Sequence, residues 1–170
     1  MKTKNIYIIG SGPAGSATAL SIAKLATTRQ TSFSVVLVCG PKNHHHAIGE
    51  TIPPAATEYL RKLGVADLLN EQQHIYCPGS ISIWGQEQPG FNDFFYTPVG
   101  KGYHLDRDTF NQSLMLAAES SGARLMRDTK LSSIEQVEGS KQLKLTLETA
   151  NNTIMEYADF VIDAKAYKRR

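Results

Sequence analysis

One stretch near the start of the chain limits what the rest can be. Ile6-Tyr7-Ile8-Ile9 is a short apolar run, and Gly10-Ser11-Gly12-Pro13-Ala14-Gly15 follows it at once. Residues 14–27 suit a helix, and a second apolar run over 33–39 closes the unit. Strand, glycine turn, helix and strand within about 30 residues is the layout of a dinucleotide-binding βαβ unit. Gly10 permits the tight turn off the strand. Gly12 has no Cβ, so the backbone can approach a pyrophosphate, and Gly15 lets the helix sit close on the sheet. Pro13 suits a first helical turn, where a missing N–H costs nothing. The free N–H groups from Ala14 onward, and the helix dipole, then face the phosphates. The plainer reading is a glycine turn in an ordinary α/β domain.

At 170 residues the chain has the length of one domain and can bury a core. The last six residues, 165–170, carry four positive charges against a net charge of +2. The body is therefore slightly acidic, which argues against a nucleic-acid surface. Cys39 and Cys77 stand apart, with no Cys-x-x-Cys or zinc spacing, and fit a reduced, cytoplasmic setting. Lys2 and Lys4 before an apolar run imitate a signal peptide, but Gly10, Gly12, Pro13 and Gly15 break that run. No apolar run approaches the ~18–20 residues of a membrane span.

Strand two is nearly continuous in β-branched residues, as a buried parallel strand should be. Its end departs from the usual pattern. Dinucleotide-binding units place an Asp or Glu there for the ribose hydroxyls, whereas this chain has Cys39-Gly40-Pro41. Lys42 or Asn43 could substitute, but no acid is available, which disfavours a plain NAD site. His44-His45-His46 follows in a loop. Adjacent imidazoles cannot all converge on one ion, so no metal site is expected.

A helix after Pro53-Pro54 runs to about residue 63, with Gly64 as terminator, and a further helical turn is expected over 65–69. From about 75 to 103 glycines and prolines punctuate short runs. Trp84, Phe91, Phe94, Phe95, Tyr96 and Tyr103 crowd this stretch. They form either a small core or the wall of an apolar pocket. Asp106 is the expected N-cap of the next helix, whose Phe110, Leu114, Ala117 and Ala118 make one buried stripe. Residues 123–126 are a short strand, and 131–137, 143–149 and 154–157 form an antiparallel meander turned at Asn151-Asn152. Residues 159–164 are an apolar strand bound for the parallel sheet. The fold class is α/β: a Rossmann-like domain with a parallel sheet, an antiparallel β-meander crossover and an aromatic-rich β insertion.

Three segments together resemble the flavoprotein monooxygenase and flavin-dependent halogenase superfamily, with the aromatic-hydroxylase fold. They are Gly10-Ser-Gly-Pro-Ala-Gly15, Ile48-Gly-Glu-Thr-Ile-Pro53 and Tyr103-His-Leu-Asp-Arg-Asp-Thr-Phe110. Phe160-Val-Ile-Asp-Ala164 is similar to a fourth element. Ser82-Ile-Trp-Gly85 with Gly100-Lys-Gly-Tyr-His-Leu-Asp-Arg107 resembles one branch, the flavoproteins that hydroxylate tryptophan while maturing quinone-cofactor oxidases.

The resemblance implies FAD and oxygen chemistry. It implies NAD(P)H or a flavin reductase as electron source, and a substrate such as a tryptophan side chain in a partner protein. It places Gly10, Gly12, Pro13, Ala14, Gly15 and Ala164 at the pyrophosphate end of the cofactor. Glu50 would lie near the flavin, or else cap the helix after Pro53. Arg107 would reach the ribityl or phosphate portion, or else pair with Asp108 or Glu119. Leu131 falls where the backbone of such proteins meets adenine.

Two departures qualify it. Tryptophan halogenases of this superfamily carry a lysine after the Gly-Glu helix, and no lysine occurs here between Lys62 and Lys101. The family also continues past Ala164 into a substrate domain, where this chain has Lys165-Ala166-Tyr167. The expected organisation is an incomplete FAD-binding domain over 1–164, with an insertion over about 75–103, a basic tail over 165–170 and no substrate domain. Such a chain would be inactive alone. A non-catalytic remnant and an NAD(P)-binding reductase module are the alternatives.

Overall fold

The structure is a computed structural model that describes residues 3–41, 50–70, 73–85, 88–98 and 100–165. The His44-His45-His46 loop, Ile48-Gly49 and the tail beyond Lys165 lie outside the described residues. The chain divides into two compact units, residues 1–45 with 114–170, and residues 46–113.

The first unit is built on strands β1 (Lys4–Ile9) and β2 (Phe33–Val38), joined by helix α1 (Pro13–Arg29). In the second unit come β3 (Glu50–Ile52), α2 (Pro54–Lys62), β4 (Ile75–Cys77), β5 (Gly79–Ser82), β6 (Gly90–Asp93) and β7 (Gly102–Leu105). Helix α3 (Arg107–Ser120) contains the unit boundary. The first unit resumes with β8 (Arg124–Met126), β9 (Lys130–Gln136), β10 (Leu143–Glu148), β11 (Thr153–Ala158) and β12 (Phe160–Asp163).

β12, β1, β2 and β8 form a four-stranded sheet in that order, parallel throughout. The β-branched run of β2 is buried over its last four residues, as a strand covered on both faces must be. Side chains alternate across a strand. Tyr7, Ile9, Val36 and Val38 therefore share one face, and they pack with Leu145, Leu147 and Ala158 of the meander. The meander, in the order β11-β10-β9, is antiparallel. Leu145 and Leu147, two residues apart on one face of β10, are both fully buried, and opposite them the register shifts past Ser132 of β9. The other face of the sheet meets α1, whose buried residues Gly15, Ser16, Ala19, Leu20 and Ala23 are mostly small. Small side chains let a helix approach a sheet closely, as the sequence implied.

Capping holds the ends. Asp106 Oδ1 accepts from the Thr109 N–H at 2.9 Å, so it caps α3 as expected. Phe110, Leu114 and Ala118 are buried along one side of that helix. In the second unit β3-β7-β4 is an antiparallel sheet, and β5-β6 is a separate hairpin. Phe94 and Tyr103 are buried core residues, whereas Trp84, Phe91, Phe95 and Tyr96 stand exposed. The aromatic stretch thus divides: Phe94 and Tyr103 serve as core, and the other four rings are exposed apolar surface.

Candidate functional site

The geometry separates the three glycines of the turn. Gly10 has φ +109°, a conformation L side chains rarely adopt, and its N–H donates to the Val38 carbonyl at 3.0 Å. At Gly15 an added Cβ would fall 1.8 Å from the Gly10 carbonyl oxygen, so close approach of helix to turn demands glycine. Gly12 meets neither condition. Its backbone is extended at φ −68° and ψ −179°, which any residue adopts. An added Cβ there would meet no protein atom within 4 Å. Protein packing does not call for glycine at this point, and the space beside its backbone is open.

Gly12 is the N-cap of α1 and Pro13 its first residue, with no side-chain cap and no acidic residue in the first turn. The start of α1 therefore keeps its positive dipole end and uncapped N–H groups for an anion. Ser16 stabilises the turn from inside: its Oγ donates to the Ser11 carbonyl at 3.1 Å, and its N–H to the Gly12 carbonyl at 2.9 Å. Ala164 closes the far side. Its N–H donates to the Ile9 carbonyl at 2.9 Å, and its own carbonyl oxygen lies 2.9 Å from where a Gly10 Cβ would stand.

Beside the turn, along the carboxyl ends of the parallel strands, lies the end of β2. Cys39 is buried, and burial pushes its thiol pKa above the ordinary value. Its N–H donates to the Met126 carbonyl at 2.8 Å, and its carbonyl accepts from the Thr129 N–H at 2.9 Å. These two bonds clamp the Arg127-Asp128-Thr129 turn against Cys39-Gly40-Pro41. A cavity of about 370 Å³ opens there, lined by Pro41, Asp128, Lys130, Glu148, Thr149 and Ala150. The sequence drew attention to Leu131. Its side chain packs against the core, and it is the neighbouring Lys130 that lines the cavity. Asp128 drew none. Its φ of 50° agrees with an Asp in a tight turn, but nothing local announces what that turn faces.

In the second unit Glu50 and Arg107 form an ion pair between β3 and the start of α3. Neither plainer reading of these residues holds. Arg107 pairs with neither Asp108 nor Glu119, since Glu119 pairs with Arg127. No side chain caps α2, whose N-cap is Pro53. The pair is poised because Glu50 is register partner to Leu105, two residues before Arg107. His74 supports the same corner. It is buried, its Nδ1 accepts from the Asp106 N–H at 3.2 Å, and its ring meets Phe110 edge-on. On the neighbouring register pair, Thr51 Oγ1 and His104 Nδ1 are hydrogen-bonded at 2.7 Å.

No protein-family model matches the chain. The putative FAD-dependent oxidoreductase LodB of Marinomonas mediterranea is 26% identical over 167 residues, 96% of this chain and 43% of LodB. A flavin-dependent halogenase of Armillaria mellea is 24% identical over 88% of this chain and 28% of its own length. Among solved structures, the myxobacterial chondrochloren halogenase CndH, an FAD-dependent halogenase, superposes with TM-score 0.82 at 23% identity. That superposition covers 100% of this chain and 39% of CndH.

The relatives of this chain are flavin-dependent halogenases and FAD-dependent oxidoreductases. The resemblance carried by the three segments is borne out, and so is the Rossmann-like α/β class. The chain spans less than half the length of these relatives.

Proposed function

We propose that the chain is the FAD-binding portion of a flavin-dependent oxidoreductase of the monooxygenase type, acting on an aromatic or other apolar substrate. The observation that carries this is Gly12: a glycine that neither backbone conformation nor protein packing requires, at the uncapped start of a helix. A pyrophosphate uses both features, because its oxygens accept from backbone N–H groups and need the space a Cβ would take. The relatives select FAD over a nicotinamide nucleotide, in keeping with the absence of an acid at the end of β2. When bound, FAD supplies the electron transfer to oxygen that side chains cannot perform.

The chain's own part is to bind and orient. Gly10, Gly12, Pro13, Ala14 and Gly15 hold the pyrophosphate, with Ala164 backing the turn. Leu131 contributes backbone toward the adenine. Glu50 and Arg107 are assigned as further cofactor contacts, the arginine through its charge. Residues 1–164 act as one FAD-binding domain, with 75–103 inserted. The exposed Trp84, Phe91, Phe95 and Tyr96 supply apolar surface for an aromatic substrate, such as a tryptophan side chain of a partner protein. Electrons arrive from NAD(P)H or from a flavin reductase. No helix among the described residues is long and apolar enough to cross a membrane. The two separate cysteines, in keeping with a reducing setting, support a cytoplasmic location.

Titration of the chain with FAD, ADP-ribose and NADH tests the reading. FAD is expected to bind tightest. Clearly tighter NADH binding would overturn the flavin assignment in favour of a reductase module.

A further inference from the structure

The end of β2 lacks the acid that a dinucleotide site uses for ribose, and the described residues Cys39, Gly40 and Pro41 supply no carboxylate in its place. Cys39 is buried and burial favours its neutral thiol. Gly40 and Pro41 offer no side-chain acceptor. A carboxylate for the ribose hydroxyls of an adenosine nucleotide has to come from elsewhere in the fold.

The neighbouring strand brings one. β8 lies beside β2 in parallel, with Val38 opposite Met126. Beyond those residues the Cys39 N–H to Met126 carbonyl and Thr129 N–H to Cys39 carbonyl bonds, 2.8 and 2.9 Å, bracket Asp128. Asp128 thus stands at the carboxyl edge of the sheet, next to the position where the usual acid would be. It is exposed and lines the cavity of about 370 Å³ together with Pro41. That volume falls within the range of small-ligand sites. Arg127, next to it in sequence, is engaged by Glu119 at 2.9 Å, while Lys130 and Glu148 line the same cavity as Asp128. The left-handed backbone at Asp128, φ 50°, keeps the carboxylate on this turn rather than in the β8 ladder.

We propose that Asp128 takes over the ribose-binding role of the absent strand-two acid, accepting the hydroxyl protons of an adenosine nucleotide in the cavity beside Pro41. The proposal rests on the glycine turn being the pyrophosphate site. A vicinal diol suits a carboxylate because two hydroxyls can donate to its two oxygens, and charge-assisted bonds of this kind are the stronger ones.

The test compares ADP with 2′,3′-dideoxy-ADP, and also FAD, by calorimetric titration of the chain and of Asp128→Gly and Asp128→Asn. Glycine tolerates a φ of 50° without strain, so Asp128→Gly removes the carboxylate and leaves the turn. Circular dichroism checks that both variants fold. The unaltered chain should prefer ADP over the dideoxy compound by roughly tenfold or more. Asp128→Gly should erase that preference and weaken FAD by a similar factor, with Asp128→Asn between. A preference that survives intact in Asp128→Gly overturns the proposal while leaving the flavin reading in place. Failure of the unaltered chain to bind either ADP or FAD overturns both. Binding without any preference for the diol overturns the Asp128 role alone.

Discussion

Substituting alanine at Gly12 and at Gly15 should separate binding from folding within one turn. At Gly15 the new Cβ falls 1.8 Å from the Gly10 carbonyl oxygen and 3.3 Å from the Ala164 Cβ. Restoring an ordinary contact of about 3.4 Å requires α1 to back off the turn by about 1.5 Å. Overpacking of this kind costs about 1–3 kcal/mol, against which the better helix propensity of alanine returns up to about 1 kcal/mol. A net loss of roughly 1–2 kcal/mol should lower Tm by about 2–8 °C in a chain of this size. At Gly12 the same methyl group meets no protein atom. The entropic benefit of alanine, about 0.4–1 kcal/mol, is opposed by its poor showing as an N-cap, so stability should change by less than about 0.5 kcal/mol. FAD affinity should nevertheless fall at least about tenfold, because the methyl stands where backbone and pyrophosphate meet. Urea unfolding of both variants gives the stabilities, and flavin fluorescence quenching gives the affinities. If Gly12→Ala loses as much stability as Gly15→Ala, or keeps its FAD affinity, the assignment of distinct roles is wrong.

Other consequences are accessible to the same methods. The Tyr7 pKa is pushed up to about 12, first by burial and then by its hydrogen bond and charge interaction with Glu156. The neutral phenol is thus favoured in the folded state. Its stabilising contribution should be complete below pH ~10 and be lost as pH rises toward about 12, and Tyr7→Phe should flatten the alkaline limb of the stability curve. Leu145→Ala, at a fully buried position between meander and sheet, should cost about 2–5 kcal/mol in urea unfolding. Asp159 accepts from the Asn5 N–H at 2.8 Å and pairs with Lys4 at 3.2 Å. Asp159→Ala should cost about 1–3 kcal/mol, and a loss that high salt cancels would show that only the exposed lysine mattered.

Local pattern determined more of this protein than composition did. The strand, turn, helix and strand of the first 38 residues were legible because each depends on near neighbours: β-branched runs, glycine and proline at defined offsets, small residues on one helix side. The meander was legible from its alternation, since period two is a property of an extended chain whatever it packs against. The three-segment resemblance was likewise a matter of short local motifs, and the relatives bear it out.

What the sequence left open is decided by contacts between distant parts of the chain. Alternation does not say which strands pair, so the places of β12 beside β1 and β8 beside β2 come only from the fold. Aromatic density does not say which rings are buried. Phe94 is buried and Phe95 is exposed because adjacent side chains on that turn point to different sides. Arg107 had acidic neighbours in its own helix, yet it pairs with Glu50, which strand register carries to it. Asp128 is the clearest case. Its own sequence neighbourhood marks a turn and nothing more. It becomes a candidate ligand only because parallel pairing sets it beside Pro41, 87 positions earlier in the chain. A pattern within a few residues reports backbone geometry, which is local, whereas a binding wall is assembled by hydrogen bonds between strands whose separation along the chain carries no signal.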